Sequence, residues 1–199
     1  MTDFIIAGAG IGGLSVAIAL QKAGFSAKVY EVAPQLLPLG AGLSLSGNAI
    51  KAYDQIGLKD KVLAIGHKAK SGQLLTPKGK ILSQFSLSIS EEKYNYPAVA
   101  VHRGELQSLL VKELAPDSLF LGRKAFFFDQ DVHAVTLNFI EGEPVKGAFL
   151  IDATGVNSYL RHEFHYHSKP RYSGYTCWRG VCDYKMEAHR DMLVTETWG

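Results

Sequence analysis

The chain has 199 residues, 47% hydrophobic and 20% charged, with 20 glycines. That is the composition of a globular domain with a sizeable core and excludes a disordered, collagen-like or coiled-coil chain. Twenty-one basic against 19 acidic residues leave a net charge of +2, which excludes a strongly basic nucleic-acid binder and points to no acidic partner. Two cysteines cannot form a disulfide framework, so a reducing compartment is expected. The N-terminus carries Asp3 where a secretory signal needs basic residues, and the apolar runs are too short to span a bilayer, so the expectation is a cytoplasmic protein without a membrane segment.

The first thirty residues are the most readable. Phe4-Ile5-Ile6-Ala7 is a short apolar run ending in glycine, as expected of a strand buried on both faces of a parallel sheet. Leu14, Ala17, Ile18 and Leu20 recur at helical spacing, and Gly24 is placed to end that helix. Ala27 to Val32 reads as a second strand, completing a βαβ unit. Asn48 to Ile56 predicts a second helix stopped by Gly57. From Lys68 the texture changes: Leu74-Leu75-Thr76 and Ile81 to Leu87 flank Pro77-Lys78-Gly79, a hairpin with a Pro/Gly turn.

Pro97 to Val101 returns to a buried-strand pattern, and Leu106, Leu109, Leu110 and Leu114 predict a helix from about Gly104. Ala125 to Phe128, Val135 to Ile140 and Phe149 to Ile151 read as strands, with a turn at Glu141-Gly142-Glu143-Pro144. Tyr172 to Asp183 and Met192 to Trp198 look extended. The last of these reads as a strand that simply stops, which raises the expectation of truncation. The fold expected is α/β: a Rossmann-like βαβ nucleotide-binding domain interrupted by part of a sheet-rich domain. Its boundaries are expected at 1–67 and 98–167 for the first domain, and 68–97 and 168–199 for the second.

Gly8-Ala9-Gly10-Ile11-Gly12-Gly13 fits GxGxxG at the junction of strand and helix. The first glycine permits the tight turn, the second leaves room for a pyrophosphate, and the third lets the helix pack on the strand. The helix start then presents free N–H groups and a positive dipole end to the anion. Glu31 lies 18 residues after Gly13, near the spacing of about 20 at which an acid accepts hydrogen bonds from ribose hydroxyls and repels a 2′-phosphate. These residues predict an ADP-moiety site, for FAD or NAD rather than NADP, and their spacing does not choose between the two.

Further motifs carry a resemblance. Gly40-Ala41-Gly42-Leu43-Ser44-Leu45-Ser46-Gly47-Asn48-Ala49, His102-Arg103-Gly104-Glu105-Leu106, Ile151-Asp152-Ala153-Thr154-Gly155-Val156-Asn157-Ser158-Tyr159-Leu160-Arg161 and Trp178-Arg179-Gly180 occur in the order seen in FAD-dependent aromatic monooxygenases of the p-hydroxybenzoate hydroxylase type, which the chain resembles over nearly all its length. The resemblance implies FAD held by Gly8, Gly10, Ile11, Gly12 and Gly13, with Glu31 at the adenosine ribose and Arg103 reaching the same cofactor. It places Gly42 near the flavin and makes Thr154 and Gly155 cofactor-binding residues as well. It implies a monooxygenase in which NAD(P)H reduces the flavin and O₂ supplies one oxygen atom to a small, aromatic substrate, and it assigns no catalytic acid or base. A related epoxidase, halogenase or reductase, or an FAD-binding chain without turnover, stays open beside it, and an NAD-dependent dehydrogenase would need a nicotinamide site that the residues do not suggest.

The sequence also departs from that pattern. Where the family has Gly-Ala-Asp-Gly, this chain has Asp152-Ala153-Thr154-Gly155, which leaves a neutral hydroxyl in place of the carboxylate held to help bind FAD and the nicotinamide nucleotide. Leu36-Leu37-Pro38-Leu39 replaces a basic residue. The resemblance also implies a second FAD motif of Gly-Asp-Ala type beyond the stretch matched by these residues, so the expectation is the N-terminal half of such a protein. Other constellations point to no chemistry. His162, His165 and His167 with Glu163 read as surface-loop residues rather than metal ligands, Cys177 and Cys182 as reduced thiols on opposite faces of a strand, Phe126 to Phe128 as sheet core, and Glu91-Glu92-Lys93 as a solvated loop.

Overall fold

The computed structural model describes residues 2–37, 41–164, 170–182 and 193–199. By its internal contacts the chain divides into two compact units, Met1–Pro38 with Gln107–Cys177, and Leu39–Leu106 with Trp178–Gly199.

The first unit is built on a six-stranded sheet. Strand β1 (Thr2–Ala7) leads through helix α1 (Ile11–Lys22) to β2 (Ala27–Tyr30). Helix α5 (Arg103–Lys112) belongs to this unit from Gln107 onward, its first turn being counted with the second unit. After it come β8 (Leu119–Phe120), β9 (Ala125–Gln130), β10 (Val135–Phe139), β11 (Val145–Asp152) and the short helix α6 (Leu160–Phe164). Strand order is β8-β2-β1-β11-β10-β9. The first four are parallel and the last two antiparallel, so a βαβ core carries an antiparallel extension. The register Ile5↔Leu150, Ile6↔Ile151, Ala7↔Asp152 brings the ends of β1 and β11 side by side, and ligands of open α/β sheets gather beyond such strand ends.

The apolar pattern explains these elements. Ile5, Ile6 and Ala7 are fully buried because β1 is central and covered on both faces. Gly13, Leu14, Ala17 and Ile18 form the buried stripe of α1, and fully burying a side chain such as Leu14 or Ile18 is worth about 1.5–3 kcal/mol. Ile5, Ala7, Tyr30, Val135, Leu137, Phe139 and Leu160 form one apolar cluster on the sheet. The ring of Tyr30 is stacked on Phe120 at 4.9 Å and tilted against Phe139 at 5.2 Å, geometry that adds to the burial. Helix α1 ends where Gly24 takes φ +91°, and the amides of Ala23, Gly24 and Phe25 satisfy its last carbonyls.

The second unit holds β3 (Gly42–Leu45), α2 (Gly47–Gln55), α3 (Lys59–Ala64), β4 (Gly66–Lys68), β5 (Ser71–Leu75), β6 (Ile81–Ser86), α4 (Ile89–Tyr94), β7 (Val99–His102) and β12 (Leu193–Thr197). They form two three-stranded sheets, β3-β7-β4 and β12-β5-β6. The expected hairpin is present as β5 and β6, with its register shifted between Leu74 and Leu75.

Several expectations are corrected. Glu91-Glu92-Lys93 lies inside α4, where Glu91 pairs with Lys68 Nζ at 2.5 Å and Asn95 closes the helix in the left-handed conformation; six residues are too few to show a helical period. Phe126 and Phe127 are exposed rather than core, because β9 is the sheet's edge, and only Phe128 packs on the apolar cluster. Phe149 is also exposed. Strand β10 covers only Val145 to Gly147, so the later part of β11 has β1 alone as neighbour, and the Phe149 ring rests on Phe4 at 5.1 Å. Residues 170–182 contain no strand, which removes the argument for opposite faces, although Cys177 and Cys182 are free thiols and exposed; Asp183 lies outside the described residues. The second strand stops at Tyr30, and Val32 is exposed. No helix among the described residues is long and apolar enough to cross a membrane.

Candidate functional site

The glycine-rich turn joins β1 to α1, and each glycine meets a different constraint. Gly8 has φ +104°, and a Cβ there would lie 2.5 Å from the Ala153 carbonyl oxygen and 3.1 Å from the Thr154 nitrogen. The conformation and the proximity of β11 both demand glycine. Gly13 is buried in the first turn of α1, where a Cβ would overlap the Gly8 carbonyl oxygen and approach the Ala153 Cβ to 3.2 Å. It sets how closely the helix seats on the strands. Gly10 and Gly12 differ: a Cβ on either would meet nothing within 4 Å. At Gly10, φ −68° and ψ 174° suit any residue, so the bare backbone is not required by the fold.

Gly10 is the N-cap of α1 and Ile11 its first residue. No side chain caps this helix and no acid stands in its first turn. The leading amides of a helix have no intrahelical partner, and with the positive dipole end they present donors to an anion. An open strip of glycine backbone before an uncapped helix start can receive an anionic group.

Glu31 follows β2 and is tied into this turn. Its Oε2 accepts from the Ala9 amide at 2.7 Å and its Oε1 from the Ala33 amide at 3.0 Å. A carboxylate has about four lone-pair sites, so lone pairs remain beyond these two bonds. Glu31 therefore ties the turn together and keeps acceptor capacity for further donors.

The end of β11 forms the facing rim. Asp152 Oδ1 accepts from both the Thr154 amide at 2.9 Å and the Thr154 hydroxyl at 2.5 Å, while its Oδ2 accepts from the Ser158 hydroxyl at 2.5 Å. Buried Ser158 in turn accepts the Arg161 amide at 3.0 Å, capping α6. Thr154 and Gly155 are exposed, and Gly155 has φ +87°.

Sequence reasoning missed one contributor. Gln107, in α5 and 7% exposed, donates from Nε2 to the Ala9 carbonyl at 2.7 Å. A glutamine in an otherwise leucine-rich helix is the only signal it left. The cavity that Thr2, Ser26, Lys28, Tyr30, Val145 and Lys146 line, about 370 Å³, opens at the start of β1 and so lies away from the turn that follows its end.

In the second unit, Gly42 opens β3 opposite His102, with open space where a Cβ would stand. Arg103 is half-buried at the first position of α5, and its amide donates to the Ala41 carbonyl at 3.2 Å. The structure thus brings Gly8, Gly10, Ile11, Gly12, Gly13, Glu31, Thr154 and Gly155 together in one unit and positions Gly42 and Arg103 in the other. His165 and His167 lie outside the described residues, and no group of three or more metal-ligating side chains occurs among the described ones.

Residues 1–183 match the family model described as the FAD binding domain. The chain is 37% identical over 195 residues to the aurachin C monooxygenase/isomerase of Stigmatella aurantiaca, covering 98% of this chain and 51% of that protein. It is 33% identical over 178 residues to the 3-amino-4-hydroxybenzoate 2-monooxygenase of Streptomyces cremeus, covering 88% and 45% respectively. The crystal structure of Klebsiella pneumoniae HpxO complexed with FAD and uric acid superposes with a TM-score of 0.74 at 31% identity, over 81% of this chain and 41% of that one. The chain therefore spans about half the length of the curated relatives it matches. With its βαβ core and glycine turn in place, the chain belongs to the FAD binding domain family.

Proposed function

We propose that this chain is the N-terminal portion of an FAD-dependent monooxygenase that hydroxylates a small aromatic or heterocyclic substrate. The observation that carries the reading is the open Gly10–Gly12 backbone before the uncapped start of α1, within a chain whose family binds FAD. Gly8 to Gly13 would hold the pyrophosphate, Glu31 the adenosine ribose, and Thr154 and Gly155 a further hydroxyl-bearing part of the cofactor. Arg103 would supply a guanidinium, whose fixed fork of donors suits phosphate or ribityl oxygens, and Gly42 would lie beside the flavin. Bound FAD, reduced by NAD(P)H, would activate O₂ for transfer of one oxygen atom to the substrate. The protein's part is to place that ring system and exclude water.

Residues 1–67 and 98–167 would form the FAD domain, and 68–97 with 168–199 part of the substrate domain. A reducing, cytoplasmic setting fits the two free, exposed thiols. The relatives' names support the reaction class, since both are monooxygenases of 33–37% identity.

The test is equilibrium dialysis of the purified chain against FAD and, separately, NAD. About one flavin per chain, with its visible spectrum retained through desalting, supports the reading. Saturation by NAD with no uptake of FAD overturns it in favour of a dehydrogenase-type site. Uptake of FAD without NAD(P)H-dependent bleaching of the flavin would favour an FAD-binding chain without turnover.

A further inference from the structure

We propose that Asp152 is a positioning residue that makes the Thr154 hydroxyl an obligate hydrogen-bond acceptor for a sugar-type hydroxyl of the bound cofactor. The inference rests on the FAD reading above and goes further, because it assigns a role to a carboxylate that stands two positions away from the one in the family's Gly-Ala-Asp-Gly pattern.

The argument starts from donor bookkeeping. Asp152 ends β11, beside Ala7 at the end of β1, and its two oxygens take three protons: the Thr154 amide and hydroxyl on Oδ1, the Ser158 hydroxyl on Oδ2. A hydroxyl has one proton and two lone pairs. The proton of Thr154 is spent on Asp152, so what the exposed side of this hydroxyl offers is lone pairs alone. A hydrogen bond to a charged acceptor polarises the donor oxygen, which strengthens it as an acceptor in turn.

Location gives this polarity a use. The Thr154 nitrogen is 3.1 Å from where a Gly8 Cβ would stand, so Thr154 borders the turn to which the FAD reading assigns the dinucleotide. Ribose and ribityl chains present O–H donors, which an acceptor-only hydroxyl fits. A carboxylate at position 154 would accept the same bond but bring a full negative charge towards the pyrophosphate. Here that charge sits one step behind the rim, shared among three donors. Ser158 holds the other oxygen from a buried position and caps α6, so the carboxylate is held from both sides.

The experiment is a double-mutant cycle on FAD affinity, read by flavin fluorescence titration of the chain, with the variants Asp152→Asn, Thr154→Val, their combination, and Thr154→Ser. An amide at 152 accepts through one atom only and cannot serve both sides. Asp152→Asn and Thr154→Val are each expected to raise the Kd by about 2- to 12-fold, the range of one net hydrogen bond. The double variant should be no weaker than the weaker single variant, because Asp152 acts through Thr154. Thr154→Ser should bind as wild type. A purely structural role for Asp152 predicts losses that multiply in the double variant, and that result overturns the proposal.

Wild-type affinity in Thr154→Val overturns it as well. This variant leaves the Asp152–Ser158 bond intact, so it remains informative if Asp152→Asn lowers the melting temperature. Repeating the titration with ADP locates the donor. A loss seen for both ligands places it on the adenosine ribose; a loss for FAD alone places it on the ribityl chain. No uptake of FAD by the wild-type chain defeats the cofactor reading, whereas wild-type uptake with an unaffected Thr154→Val defeats this inference alone.

Discussion

Gly8 and Gly10 stand two residues apart in the same turn, yet alanine at each should fail in a different way. In Gly8→Ala, the side chain is forced into φ +104°, costing about 1–3 kcal/mol, and its methyl group meets the Ala153 carbonyl 2.5 Å away. That oxygen belongs to backbone following β11, so relief requires the strand ends to part, at a further cost of about 1–3 kcal/mol. The sum is about 2–6 kcal/mol, a large share of the 5–15 kcal/mol (roughly) that holds a native domain together. In Gly10→Ala, the backbone angles suit alanine and nothing lies within 4 Å, so the unfolding free energy should stay within about 0.5 kcal/mol of wild type. The same methyl group occupies the space a pyrophosphate would use, so FAD affinity should fall by more than about tenfold, or about 1.4 kcal/mol. Urea midpoints of the unliganded chain and FAD titrations measure the two effects separately. A Gly8→Ala chain as stable as wild type would refute the steric reasoning. A Gly10→Ala chain that binds FAD normally would refute the assignment of that backbone to the ligand.

Gln107→Leu removes the amide that donates to the Ala9 carbonyl and leaves a buried acceptor unpaired, so it should destabilise the chain by about 1–3 kcal/mol in urea denaturation; an unchanged midpoint would show that this contact does not hold the turn. Stability should fall at the acid end. The Ser26 amide and hydroxyl hold Asp3 below its ordinary 3.8, and the amides of His133 and Ala134 do the same for Asp131. A carboxyl whose value is lowered by folding contributes stability above its unfolded value and loses it as pH falls through the folded one, so the melting temperature should drop below about pH 3.8 and drop less in Asp131→Asn. At the other end, the hydrogen bond Tyr96 donates to Asp54 raises the phenol above its ordinary 10.0, so its contribution is present below pH 10 and fades as pH climbs past it. An alkaline melting curve that does not change in Tyr96→Phe would contradict this.

The βαβ unit was legible because its signals are local. A four-residue apolar run, a glycine turn, a helical stripe ended by Gly24 and a second strand can be recognised within thirty residues. The longer elements that followed were readable for the same reason, as with α2 and the β5–β6 hairpin. Elements of two to six residues, such as β4, β8 and α4, are too short to show a period, and their place is decided by what they pair with. Exposure was the other gap: Phe126, Phe127 and Phe149 have the composition of core but lie where the sheet has run out of neighbours.

The sequence by itself determined the chemistry of the site: glycine at 8, 10 and 13, an acid at 31, and a hydroxyl at 154 with a carboxylate at 152. Only the tertiary structure decided what each one meets. Gly8 is hemmed in by Ala153, more than a hundred residues later just past β11, and Gly13 by the Gly8 carbonyl together with that same Ala153, whereas Gly10 has nothing near. Gln107 reaches Ala9 across 98 residues. Asp152 stands where the family pattern has glycine, and the sequence does not show that its oxygens accept from Thr154 and Ser158. Local spacing encodes turns and helices because their bonds close within a few residues; which side chain meets which turn depends on how the sheet orders its strands, and no short window of sequence contains that.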